Sequence, residues 1–288
     1  MQEVACMADT PDARAASSVP AGSQPGTDPG ETAGTSSKLS EAIDIVNSAI
    51  GVTDDAEIRR IAKSALQVCE ECVEAWLMLA QTDVGDPVQV EQDLGRAVAA
   101  GERLFAPREK ELEGRYWQAP ETRVYMQARV AHAQALWELD RKDEAIAVLR
   151  GTLARNPADH QGVRYMAMRA LLDRGDYGGA LEIVSQYEQE GSTPILYNKL
   201  LCIFMVEGDG LLARSAFVAA KRWNPHVLDY LLGLRQLPQR LPQAVEPQGD
   251  AEAVRYAAVF GEAWSEAPGA TTYLRTQKKL RADREKLH

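Results

Sequence analysis

An all-α solenoid of tetratricopeptide-type helix hairpins is the fold class this sequence predicts, on three observations. Ala145, Ala180 and Ala213 recur at steps of 35 and 33 residues, close to the ~34-residue period of tetratricopeptide repeats. Five residues before each stands Asp140, Gly175 or Gly208, where one helix ends and the chain turns. Twelve residues after two of the alanines comes a proline, Pro157 or Pro225; in the middle copy it moves to Pro194. Alanine suits the closest approach of two helices. Glycine or aspartate tolerates the left-handed or locally bonded turn, and proline stops the second helix. One hairpin cannot bury its own apolar face, so neighbours must stack.

The elements follow in order. Residues 1–37 are rich in Pro, Gly, Ser, Thr and Ala and offer no core, so they read as a disordered tail. From Lys38, helical spacing begins with Leu39, Ile43, Val46 and Ile50, ended by Gly51. Asp54 and Asp55 cap a helix over 56–68, with Ile58, Ile61, Ala65 and Leu66 on one face. Residues 65–81 read as the end of that helix and the start of the next, with Trp76 and Leu79 at large positions. A helix over 88–104 completes the hairpin through Ala97 and Ala100.

Residues 105–119 break the period: a short charged helix over 108–113, then Tyr116 and Trp117 as a buried anchor. Pro120 opens the three good repeats. Leu196, Leu200 and Phe204 carry the apolar stripe of the last first-helix. After Pro225 comes a helix over 227–234, then a proline-rich link over 237–250. Asp250 caps an amphipathic helix over 251–264. Residues 266–288 form a polar, basic C-terminal tail that is either a helix with one weak apolar stripe or frayed.

Composition limits function. The net charge of −10 and pI near 5.1 argue against a nucleic-acid partner, which needs a basic face. Four cysteines are too few for a disulfide framework in 288 residues. No run of apolar residues reaches the length of a membrane span, and MQEVACMADT has neither the basic nor the apolar part of a secretory signal. The expectation is a cytoplasmic protein.

Chemistry-bearing motifs are sparse. Cys69 and Cys72 form a C-x-x-C with no second ligand pair for zinc and no strand before it for redox work, so they read as packing cysteines. His226 has no locatable nucleophile beside it and reads as a helix-start residue. Gly178-Gly179 and the Gly208–Gly210 pair lack the Lys-Ser/Thr of a phosphate loop. Neither a cofactor, a metal nor a catalytic residue is expected.

Binding does have a location. In such arrays the first helices line a concave groove, into which repeat positions 2, 5, 9 and 12 point. With the turn alanine as position 20, these are Gln127, Val130, Gln134 and Trp137 in the first copy. The second gives Gly162, Tyr165, Arg169 and Leu172, and the third Ile195, Asn198, Cys202 and Met205. Gln127, Gln134, Trp137, Tyr165, Arg169 and Asn198 are the predicted binding residues, with Arg123 and Arg164 at the rim. The Lys and Asn of a chaperone-tail clamp are Val130 and Gln134 here, which disfavours that ligand.

Residues 55–264 resemble the repeat region of the suppressor-of-tumorigenicity-seven family. The strings that carry this are ALQVCEECVEAWLMLAQ (65–81), AVAAGE (97–102), NPHVLDYLL (224–232) and GDAEAVRYAAVFGEAW (249–264). Members carry hydrophobic membrane segments flanking this region, absent here, and a proline where this chain has Leu228. The resemblance implies architecture and carries over no catalytic motif. The reading is a non-enzymatic scaffold that binds a peptide segment or partner protein in its groove. The alternative is a helical-repeat enzyme or enzyme subunit with the groove as substrate site.

Overall fold

At each of the three predicted hairpin turns the backbone takes a positive φ: 60° at Asp140, 69° at Gly175 and 78° at Gly208. The three alanines that set the period, Ala145, Ala180 and Ala213, are all fully buried. These observations come from a computed structural model that describes residues 31–83 and 85–285, with side chains between 36 and 280. No strand occurs among the described residues. Residues 1–30 of the predicted tail lie outside them, as does the end of the chain from residue 286.

Two units divide the described chain, one up to residue 163 and one from residue 164 onward. The first unit begins with α1 (Glu31–Asn47) and α2 (Asp55–Val68). Helix α1 starts seven residues before the expected Lys38. It also ends before Ile50, which is 83% exposed rather than on the apolar face. Ser48 turns the chain there, its hydroxyl donating to the Ile45 carbonyl at 2.6 Å. Asp54 caps α2 as expected, accepting from the Glu57 amide. Helices α3 (Val73–Thr82) and α4 (Pro87–Phe105) form the next hairpin, and Asp86 caps α4 through the Val88 and Gln89 amides.

The aperiodic stretch holds one 3₁₀ turn (Ala106–Arg108), the short α5 (Glu109–Leu112) and a second 3₁₀ turn at Pro120–Thr122. Tyr116 is buried there, as its anchoring role requires. Helices α6 (Arg123–Glu138) and α7 (Lys142–Arg155) complete the unit, with α6 packed on α4.

In the second unit come α8 (Val163–Asp173), α9 (Tyr177–Gln186), α10 (Thr193–Glu207) and α11 (Leu211–Trp223). Short α12 (Val227–Leu231) precedes the proline-rich link, then α13 (Asp250–Glu266) and α14 (Ala270–Glu285). Gly249, not Asp250, is the N-cap of α13. The region read as a polar tail from residue 266 is the helix alternative: Ala270, Tyr273, Leu274 and Gln277 are buried on one stripe of α14. Helices α13 and α14 both pack on α10.

Candidate functional site

The predicted binding residues fall in both units and are taken unit by unit. In the first, Gln127, Val130, Gln134 and Trp137 lie on one face of α6, since steps of three, four and three keep to a helical stripe. The opposite side of α6 is spent on the core through Tyr125, Met126, Ala128, Ala133 and Leu136. Gln127 is exposed, while Val130, Gln134 and Trp137 are half-buried. Neither glutamine makes a side-chain hydrogen bond among the described residues, so donors and acceptors of both remain open. Lys142 lies 5.3 Å from the centroid of the Trp137 ring and pairs with Asp140 at 3.2 Å.

Beneath that face is a buried charge that sequence reasoning missed. Arg129, 5% exposed, donates to Thr152 Oγ1, Glu102 Oε1, the Tyr125 hydroxyl and the Val148 carbonyl. It thereby ties α4, α6 and α7 together. Its acceptors come from separate stretches of chain, so no local spacing betrays it. His132 and Arg141 meet on Glu91, each at 3.0 Å, in a second tie that joins α4 to α6 and to the turn that opens α7.

In the second unit three of the predicted binding residues, Tyr165, Arg169 and Asn198, have their polar groups engaged within the unit. Asn198 is fully buried; its amide oxygen accepts from the Tyr256 hydroxyl at 2.9 Å. Tyr165 is 7% exposed and donates to Glu190 at 2.6 Å, and burial pushes its phenol up to about 12. Arg169 donates to Asp173 at 2.6 Å, to Glu262 at 2.7 Å and to the Val259 carbonyl. Burial lifts the Asp173 carboxyl above its usual range, against the pull of Arg169. Leu172, Ile195 and Cys202 are buried too. Of the rim residues, Arg164 pairs with Glu190 at 2.8 Å and, in the first unit, Arg123 donates to the Trp117 carbonyl. Gly162 is a turn residue with φ of 68°.

The cover is α13. Its Tyr256, Phe260 and Trp264 are all fully buried. Tyr256 packs on Tyr197 and Phe260 with ring centroids 5.4 and 5.2 Å away, and Trp264 Nε1 donates to its hydroxyl at 2.8 Å. Sequence analysis found α13 without finding its seat, because a helix outside the period has no register to assign.

The other singled-out residues have structural surroundings. Cys69 and Cys72 are buried where α2 ends and α3 begins, beside Glu71 and Glu74. Burial raises both thiols, Cys72 to about 12. The His226 amide donates to Asn224 Oδ1, and its ring lies 3.9 Å from Asp250. Beside Asp250 an open cleft of 370 Å³ is lined by Tyr230, Arg235, Pro238, Arg240 and Val254, among others. Its Arg235 is already paired with Asp250 through two hydrogen bonds.

No family model matches this chain. It is similar to the suppressor of tumorigenicity 7 protein-like of Rattus norvegicus, 23% identical over 240 residues, which is 75% of this chain and 42% of that relative. The Bos taurus protein of the same name is 24% identical over 236 residues, 73% of this chain and 42% of the relative. The suppressor of tumorigenicity 7 protein of Macaca fascicularis is 25% identical over 247 residues, 76% of this chain and 46% of the relative. The family resemblance read from the residues is therefore shown over about three quarters of the chain. The chain spans less than half the length of these relatives.

Proposed function

We propose that this chain, a relative of the suppressor-of-tumorigenicity-seven proteins over most of its length, is a non-enzymatic scaffold of tetratricopeptide-type repeats. It binds a peptide segment or partner protein on the exposed face of α6. One observation carries the reading: Gln127 and Gln134 keep open hydrogen-bonding groups beside the half-buried Val130 and Trp137. Polar groups set among apolar contacts are what a specific protein surface needs. The net charge of −10 disfavours nucleic acid as the partner. Free, buried Cys69, Cys72 and Cys202 fit a reducing compartment such as the cytoplasm. Among the described residues no helix is long and apolar enough to cross a membrane.

The test is proximity labelling and pull-down with the full chain against the Gln127→Ala, Gln134→Ala, Trp137→Ala triple variant. Far-UV circular dichroism is the control for folding. Partners captured by the wild type are expected to fall by about tenfold or more, as when an anchor is removed from an interface. Equal capture by a folded variant would place the binding surface elsewhere.

A further inference from the structure

The second unit displays what a face of this kind holds when it is filled. Arg169, at position 9 of the second repeat, takes a backbone carbonyl and a carboxylate from α13, those of Val259 and Glu262. Asn198, at position 5 of the third repeat, takes the Tyr256 hydroxyl from the same helix. The occupant is a helix with aromatic rings at i, i+4 and i+8, namely Tyr256, Phe260 and Trp264, and with Glu262 beside that stripe. Extended backbone does not fill this seat; a helix with all its main-chain bonds made internally does.

In the first unit the same repeat positions, Val130 at 5 and Gln134 at 9, are half-buried, as is Trp137 at 12, and among the described residues of that unit α6 packs chiefly on α3, α4 and α7. Gln134 stands where Arg169 stands and offers amide donors to a carbonyl. The positive charge of Arg169 has its counterpart in Lys142, the first residue of α7, held over Trp137 and, as Arg169 is with Asp173, already paired with a nearby carboxylate, Asp140. We propose that the open α6 face seats an amphipathic helix from a partner, with apolar rings at i and i+4 and a carboxylate at its edge. This deepens the scaffold reading and rests on it: Trp137 and Val130 take the rings, Gln134 a polar group of the helix and Lys142 the acid.

The probe is a fluorescein-labelled peptide of residues 250–266, the α13 sequence itself, titrated into the full chain and followed by anisotropy. The chain's own α13 keeps its seat against free peptide because its tether gives it a high effective concentration. Saturable 1:1 binding is expected, with gain of peptide helicity. Trp137→Ala and Gln134→Ala should each weaken it, Trp137→Ala by about tenfold. Glu262→Gln in the protein should leave it unchanged. Absence of saturable binding overturns the inference. So does binding that ignores the α6 variants but strengthens in Glu262→Gln, which would be exchange into the second unit's seat. If partner capture needs α6 while the helical peptide does not bind, the scaffold reading stands and the helix fails.

Discussion

Replacing Gly101 by alanine should destabilise the protein, although the same change in a helix interior ordinarily does the reverse. Alanine is better than glycine by about 0.8–1.0 kcal/mol in a helix. Gly101 lies inside α4, but a Cβ built there would stand 2.7 Å from Tyr125 Cγ and 3.0 Å from Tyr125 Cβ, closer than van der Waals contact permits. Tyr125 has no room to retreat. It is 1% exposed, its ring is flanked by Phe105 and Tyr116 with centroids 5.8 and 5.9 Å away, and its hydroxyl accepts from Arg129 at 3.0 Å. Overpacking costs about 1–3 kcal/mol, and contacts this close with a buried ring belong in the upper half of that range, about 2–3 kcal/mol, so the net loss is about 1–2 kcal/mol after the helical gain. Gly261, in the interior of α13, is the internal control: nothing lies within 4 Å of its added Cβ. Gly261→Ala should therefore stabilise by about 0.5–1 kcal/mol. Urea unfolding followed by far-UV circular dichroism reads both. With a slope of about 2 kcal/mol per molar, Gly101→Ala lowers its midpoint by about 0.5–1 M. A Gly101→Ala midpoint at or above wild type would refute the packing of α4 on α6 described above.

Two further predictions bear on polar ties. Arg129→Met should cost about 2–3 kcal/mol, because Thr152, Tyr125 and the Val148 carbonyl lose a charged donor in the core while half-exposed Glu102 regains water; an unchanged urea midpoint would count against it. Burial alone would raise the Asp250 carboxyl, but hydrogen bonds from Arg235 and Tyr230 outweigh it and leave the pKa below the ordinary value. A depressed folded-state pKa gives stability present above the unfolded value of about 4 and lost as pH falls through the folded one. The stability gap between wild type and Asp250→Asn should thus be widest near neutrality and close in acid, and a gap that does not vary with pH would dismiss the tie.

What was legible in the sequence was what local sterics dictate. Asp140, Gly175 and Gly208 are recognisable because few residues accept a positive φ. Ala145, Ala180 and Ala213 are recognisable because helices in contact leave no room for more. What was not legible was which outward face a distant helix would cover. Gln134 and Arg169 share a repeat position, yet one is open and the other is bound by α13. Nothing within either repeat distinguishes them, because the difference is made some ninety residues later. Asp250 had the right chemistry for a cap, but Tyr230 and Arg235 compete for its carboxylate and hold it. The stripe of α14 was hidden for a simpler reason: four inward residues are diluted among lysines and arginines.

The strings that carry the family resemblance have a physical meaning in this fold. Asn224, from 224–232, has its amide nitrogen 3.0 Å from the Gly249 carbonyl and 3.3 Å from Glu252, both in 249–264. Tyr230 of the first string donates to Asp250 of the second. The Asn224 carbonyl accepts from Tyr197 of α10, while Tyr256 reaches Asn198 on the same helix. Together these bonds latch α12 and α13 onto α10. Fully buried Asn224 cannot meet a ligand, and in these two strings the named side chains are spent on holding α13 over the second unit's face. On the scaffold proposed above, the partner meets residues outside this latch, Gln127, Gln134 and Trp137 on α6 of the first unit.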